Sequence, residues 1–121
     1  MKTILIVDDD KHLRRLYKDE LEAEGYRIAL AANGLEALNL ASGETPDLVL
    51  MDIRMPEMDG LEAMGRLLRD RGGVPILLNS AYASYQDNFL TWAAEGYLIK
   101  SSDLEPLKQK IREILTAQPV R

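Results

Sequence analysis

Asp47-Leu48-Val49-Leu50-Met51-Asp52-Ile53-Arg54-Met55-Pro56-Glu57-Met58-Asp59-Gly60 is the stretch on which the fold turns. Residues 48–51 are all apolar, with no alternation. Such a run reads as a short strand covered on both faces. A helix could also hold four apolar residues, but Pro56 and Gly60 leave it little room to extend. Asp52 therefore stands at the carboxyl end of a buried strand, the edge where an open parallel sheet places ligands and chemistry. Met55-Pro56 and Asp59-Gly60 make a stiff, turn-rich loop that can hold a side chain over that strand end.

The chain of 121 residues is long enough for one domain with a real core, and too short for a second of ordinary size. The expected domain is 1–121, with a core of 2–116 and residues 117–121 as a frayed tail or the start of a linker. There is no cysteine, which excludes a disulfide framework and thiolate chemistry. A formal charge of −5 argues mildly against a general nucleic-acid surface. No apolar run approaches membrane-spanning length. The run at the amino terminus ends at Asp8-Asp9-Asp10, too early and too acidic for a secretory signal, so a cytoplasmic location is the default expectation.

The remaining chain alternates strands and helices. Thr3 to Val7 is a first buried strand. Residues 11–24 follow as a helix with Leu13, Leu16, Tyr17 and Leu21 on one side, Asp10 or a neighbour as cap and Gly25 as stop. Tyr26 to Ala31 is less apolar, which suits an edge strand. Asn33 and Glu36 have capping-box spacing, and the helix they open presents Leu35, Leu38 and Ala41 before Gly43 ends it. After the central strand, Leu61, Met64, Leu67 and Leu68 mark a third helix broken by Gly72-Gly73. Pro75 to Asn79 is a fourth strand closed by Ser80. Residues 83–94 carry a partial stripe, Tyr85, Phe89, Trp92 and Ala93, for a fourth helix. Tyr97-Leu98-Ile99 is a short fifth strand, followed by Lys100. The last helix bears Leu104, Leu107, Ile111, Ile114 and Leu115, capped by Ser102 or Asp103. Asp103 is favoured, because it places Pro106 at the third helical position. Five strands alternating with five helices predict an α/β domain, a parallel sheet with helices on both faces.

In such a sheet the strand ends share one edge. They deliver Asp8 and Asp9, Asp52, Ser80 and Lys100 from four pieces of chain. Crowded carboxylates repel and lose solvation, and a hard divalent cation relieves both costs. The all-oxygen set suits Mg2+, with Mn2+ as a substitute. The cation would draw in a phosphoryl group, with Lys100 and Ser80 serving its oxygens. Asp52 would accept that group as a nucleophile, and Asp8 and Asp9 would hold the metal.

These residues identify a resemblance. The segments Ile6-Val7-Asp8-Asp9-Asp10, Leu50 to Gly60, Asn79-Ser80-Ala81 and Gly96-Tyr97-Leu98-Ile99-Lys100, in this order, resemble a response-regulator receiver domain of the CheY-like superfamily, over residues 2–116. The resemblance implies a flavodoxin-like (βα)5 fold, a three-layer α-β-α sandwich with strand order 2-1-3-4-5. It implies phosphoryl transfer to Asp52 with Mg2+ from a sensor histidine kinase or histidine phosphotransfer protein. Asp8, Asp9, Asp52 and the backbone carbonyl of Arg54 match the metal ligands. Ser80 matches the switch hydroxyl, Lys100 the phosphate-binding lysine and Tyr97 the aromatic switch. The output is a downstream protein or domain engaged through residues about 82–115, with a homodimer through the same face as one form. Neither turnover catalysis, direct nucleic-acid binding nor membrane contact is implied.

The sequence departs from the family pattern at three places. Ser101 stands where the family has a proline after a cis bond, and a cis bond to a non-proline residue costs about 2.5–4 kcal/mol. The turn after Lys100 is thus either trans and differently shaped or strained. Glu95 replaces an aspartate before Gly96-Tyr97. The segment 82–95 is rich in aromatics, with Tyr82, Tyr85, Phe89 and Trp92. Arg54 and Tyr82 match positions where bulk accompanies slow loss of the phosphoryl group, so a long-lived adduct is expected.

Plainer readings stand beside these. Asp10 reads as a helix cap, Asp59 as a turn residue, His12 as a surface helix residue, and Phe89 and Trp92 as core or as an exposed patch. Asp8, Asp9, Asp52 and Lys100 could form a salt-bridge cluster without chemistry. The rival functions are a phosphorylation-independent interaction module on the same fold, an aspartyl phosphohydrolase and a flavodoxin-like cofactor module. The phosphohydrolase lacks an acid at position 54 and room for a cap, and Asp8-Asp9-Asp10 would repel the phosphate of the cofactor module.

Overall fold

The computed structural model describes residues 1–53, 60–70, 73–81 and 94–117. Residues 83–93 of the helix expected over 83–94, the loop through Arg54 to Asp59, Tyr82 and the tail from 118 lie outside the described residues, and Ala94 lies in a bend. The elements are β1 (Thr3–Val7), α1 (Lys11–Ala23), β2 (Arg27–Ala31), α2 (Gly34–Gly43), β3 (Leu48–Met51), α3 (Gly60–Asp70), β4 (Ile76–Ser80), β5 (Gly96–Ile99) and α4 (Glu105–Ala117). All four strand pairings are parallel, in the order β2-β1-β3-β4-β5.

The unbroken apolar runs of β1, β3 and β4 follow from this order. Their side chains alternate between two cores, so both sets must be apolar. Leu5, Val7, Val49, Met51, Ile76 and Leu78 enter one core with Ala37 and Ala41 of α2 and Ala63 and Leu67 of α3. Ile4, Ile6, Leu48, Leu50 and Leu77 enter the other with Tyr17 and Leu21 of α1 and Leu107, Ile111, Ile114 and Leu115 of α4. The result is a three-layer sandwich. The less apolar β2 is an edge strand, as its composition predicts.

The order in which strands are added reverses between β1 and β3. β1 is followed through α1 by β2 on one side, and α2 then returns the chain to β3 on the other. That reversal is the switch point at which open α/β sheets bind ligands.

Local signals explain most boundaries. Asp10 caps α1, its Oδ1 accepting from the N–H groups of His12 (2.9 Å) and Leu13 (3.2 Å). These two bonds, the Leu13 one foremost, hold its carboxyl below the ordinary range. Gly25 follows α1 at φ 98°, a left-handed conformation that suits glycine. Asn33 Oδ1 accepts from the N–H of Glu36 at 2.9 Å.

Four readings need correction. Glu36 reaches back to the N–H of Ala32 (2.9 Å), one residue beyond the capping-box partner. Leu16 is 41% exposed. It lies about 100° around the helix from Tyr17, off the stripe set by Leu13, Tyr17 and Leu21. Leu35 is 44% exposed, while Gly34, Ala37 and Ala41 are buried. Small residues face the sheet here, so the leucine is displaced to the outer side. The last helix starts one residue late. Leu104 O accepts the first helical bond from Lys108, which places Pro106 at the second helical position, and Asp103 Oδ1 instead accepts from the N–H of Glu105 at 3.1 Å.

Candidate functional site

The sheet register assembles the site. Val7 pairs with both Ala31 and Met51, so the residues that follow, Asp8 and Asp52, stand side by side one step beyond the ladder. Backbone bonds extend that ladder. Asp8 N–H donates to Ala31 O at 3.1 Å, and Asp52 N–H to Val7 O at 2.9 Å. On the other side of β3, Ser80 pairs with Ile99 at the end of β5, and Lys100 N–H donates to Ser80 O at 2.8 Å. Four separate pieces of chain thus bring Asp8, Asp9, Asp52 and Lys100 together with Ser80 at one edge.

The depth of the group is unusual for charged residues. Asp8 is 2% exposed, Asp52 7% and Ser80 0%, whereas Asp9 lies open at the rim. Lys100 Nζ lies 2.8 Å from Asp8 Oδ2 and 3.2 Å from Asp52 Oδ2, joining the two buried carboxylates through one ammonium. The peptide bond to Ser101 is trans, and the lysine still reaches both acids. The altered turn does not misdirect it. Asp8 Oδ1 also accepts from the N–H of Asp10 at 2.9 Å, which fixes that carboxylate from the loop side.

Burial raises the pKa of Asp52 above the ordinary carboxylate range. Lys100 pulls it down, and the charge of Asp8 adds to the rise. For Lys100, burial works against the charge, but the bonds to Asp8 and Asp52 outweigh it and hold the ammonium above the ordinary lysine range. A buried carboxylate that is costly to leave ionised gains from a cation or from esterification. Asp8, Asp9 and Asp52 each offer a carboxylate oxygen, all within 4.8 Å of one another, two of them from buried groups. Oxygen-only donors at this spacing fit a hard divalent cation such as Mg2+.

Tyr97 on β5 is half-buried and packs at the margin of the core shared with α2 and α3. Arg54 lies outside the described residues. Two features of the site escaped the sequence reading. Arg14 of α1 donates from Nη1 to the carbonyl oxygen of Asp8 at 2.7 Å. Asn79 donates from Nδ2 to Tyr17 Oη at 3.0 Å, in the core beneath the site. The available signal was one polar residue, Asn79, closing the apolar run Ile76-Leu77-Leu78.

A family model for the response regulator receiver domain matches residues 4–112. Among curated proteins, the chain is 38% identical to the regulatory protein AtoC of Escherichia coli over 98% of its own length and 26% of AtoC. It is 38% identical to the response regulator MprA of a Mycobacterium species over 93% of its length and 50% of MprA. The chain thus spans a quarter to a half of these relatives. Among solved structures it resembles the response regulator TrrA of Thermotoga maritima in complex with Mg2+-BeF, with a TM-score of 0.91, 41% identity, and 94% of this chain and 99% of that one covered. TrrA in complex with the histidine kinase ThkA is matched with a TM-score of 0.89 and 42% identity, covering 95% of this chain and 99% of TrrA. From the match over residues 4–112 and the acidic, lysine-bridged site at the switch point, the chain belongs to the response regulator receiver domain family of two-component systems.

Proposed function

We propose that this domain, taken as residues 1–121, accepts a phosphoryl group on Asp52 from a phosphohistidine of a sensor kinase or phosphotransfer protein. The observation that carries the reading is the buried Asp52 carboxylate, flanked by Asp8 and Asp9 and held 3.2 Å from Lys100. TrrA's complex with a histidine kinase supports a kinase as partner, and its complex with Mg2+-BeF supports Mg2+ as the ion. Asp8, Asp9, Asp52 and the backbone carbonyl of Arg54 would hold that ion. When bound, it neutralises charge on the carboxylates and on the phosphoryl oxygens.

In the transfer, an Asp52 carboxylate oxygen attacks phosphorus. The acyl phosphate bond forms as the phosphorus–nitrogen bond of the donor breaks, and the imidazole leaves. Lys100 holds one phosphoryl oxygen, and the Ser80 hydroxyl donates to another. Ser80 moves toward the new oxygens, Tyr97 turns inward, and the population shifts between two forms of one fold. Residues about 82–115 then engage the downstream protein or output domain. Arg54 and Tyr82 shield the acyl phosphate and lengthen its life. The domain catalyses only its own phosphorylation and slow dephosphorylation. It works in the cytoplasm and makes no nucleic-acid contact of its own.

The decisive experiment is intact mass after incubation with acetyl phosphate and Mg2+, beside Asp52→Asn and EDTA controls. One added phosphoryl group, lost in both controls, is the expected outcome. Decay over minutes to hours supports the shielding by Arg54 and Tyr82, and decay within seconds opposes it. No adduct from acetyl phosphate or from a panel of kinases would favour the phosphorylation-independent interaction module.

A further inference from the structure

We infer that the buried Asn79–Tyr17 hydrogen bond is a positioning device for Ser80, so that two core residues beneath the site set the efficiency of phosphoryl transfer. The inference rests on the phosphoacceptor reading for its catalytic consequence only. Its geometry is independent of that reading.

β4 carries Asn79 and Ser80 in succession, and side chains of successive strand residues leave opposite faces. Ser80 belongs to the site. Asn79 points into the core under α1 and donates to Tyr17 Oη at 3.0 Å, where both side chains are buried. The register of β4 with β3 ends at Leu78, opposite Met51, while its register with β5 runs on through Asn79 and Ser80, so the tip of β4 is held by a strand ladder on one side and depends more on its side chains than the strand body does. The amide–phenol bond is directional and sits one residue from the serine. It therefore pins the terminus of β4 against α1, the helix that Asp10 caps beside the metal-site carboxylates. Burial holds the Tyr17 phenol above its ordinary pKa, so it stays protonated and paired across the working range.

A cavity of about 50 Å³ adjoins the pair, lined among others by Leu98, Ser101, Asp103 and Leu104. Its wall is mostly apolar but carries Ser101 and Asp103 beside the pair, enough polar partners for a water, so a loosened Asn79 has somewhere to go. Losing the bond frees the end of β4 to drift, and Lys100 drifts with it, because its N–H is bonded to Ser80 O. Misplacement of a positioned group by well under an ångström is enough to slow a reaction several-fold.

The test compares wild type, Tyr17→Phe and the double variant Tyr17→Phe/Asn79→Leu. The phosphorylation rate is measured over a range of acetyl phosphate and Mg2+, and amide hydrogen exchange is measured by NMR. Tyr17→Phe is expected to lower the rate at saturating acetyl phosphate about 3- to 10-fold. Half-saturation by Mg2+ should stay within about twofold, because Asp8, Asp9 and Asp52 are untouched. The Lys100 amide should exchange about tenfold faster or more, while the Val49 amide, bonded to Pro75 O at the other end of the sheet, is unchanged. The double variant replaces both partners by apolar groups and should melt like wild type. It should nevertheless remain slow, which a merely structural role would not produce.

Wild-type rates and wild-type Lys100 exchange in Tyr17→Phe would overturn the inference. So would a double variant that regains the rate along with its stability, since packing alone would then position Ser80. If wild type accepts no phosphoryl group at all, the phosphoacceptor reading fails. The positioning claim is then decided by Lys100 exchange in the same samples.

Discussion

The bodies of the central strands and their carboxyl ends are equally buried and do opposite things. Val7 is 1% exposed and Asp8, the next residue, 2%; Met51 is 0% and Asp52 7%. One step along the backbone exchanges a methyl group for a carboxylate with almost no change in access to water. Burial of the strand bodies stabilises the fold by about 1.5–3 kcal/mol for each large side chain. Burial of Asp52 costs stability, because its charge leaves water and is repaid only in part by Lys100. The fold thus places its expensive residues where its cheapest ones end, and the difference is the energetic signature of a site. A purely structural ion pair would have no reason to keep two carboxylates against one ammonium at such depth.

The largest expected effect lies in the strand body. Leu50 is 2% exposed in the core shared with α1 and α4. Leu50→Ala should lose about 3 kcal/mol, or about 10 °C in the thermal midpoint at this chain length. A loss below about 1 kcal/mol would mean that the strand bodies do not carry the fold. Next is the cation of the strand ends. Lys100→Met leaves Asp8 and Asp52 facing each other in the interior and should lose about 2 kcal/mol at neutral pH, read from a denaturant titration. The sign is fixed by the raised pKa of Lys100. Its contribution is fully present below the ordinary lysine pKa and is lost only as pH climbs through the raised value. A Lys100→Met chain as stable as wild type at pH 7 would break the comparison, since the ends would then need no counter-charge.

The same contrast governs how much was legible. The strand bodies announce themselves, because residues buried on both faces must be apolar at every position. Leu48-Val49-Leu50-Met51 admits little else. The ends were legible for the same reason, as Asp8, Asp52 and Lys100 interrupt those runs abruptly. The helices were read less well where the interface is made of small residues. In α2 the buried set is Gly34, Ala37 and Ala41, and the eye follows Leu35 to the wrong side. The Asn79–Tyr17 bond spans 62 residues of sequence, and Arg14 meets a backbone oxygen instead of a side chain. Beyond the polar Asn79 at the end of an apolar run, neither leaves a local pattern. Each depends on the way α1 lies across the sheet, which periodicity alone does not specify.

The smallest effect is the most diagnostic, because its sign is reversed. Asp52 has its folded-state pKa raised, chiefly by burial, so the native state binds that proton more tightly than the unfolded chain. Stability therefore falls as pH rises from the ordinary carboxylate range through the raised value, and the full cost stands at neutral pH. Asp52→Asn keeps the shape, still accepts from Lys100 and removes the cost. In EDTA at pH 7 it should melt above wild type, by about 3–4 °C for about 1 kcal/mol of relief. Lowering the pH through the window should close the gap, because wild type regains its proton while the amide does not titrate. Mg2+ should also close it, from the other side, since a cation bound by the native carboxylates stabilises wild type and gives little to the variant. An Asp52→Asn chain that melts below wild type under all these conditions would make Asp52 an ordinary member of the core, and the distinction between strand body and strand end would fail at the residue where it matters most.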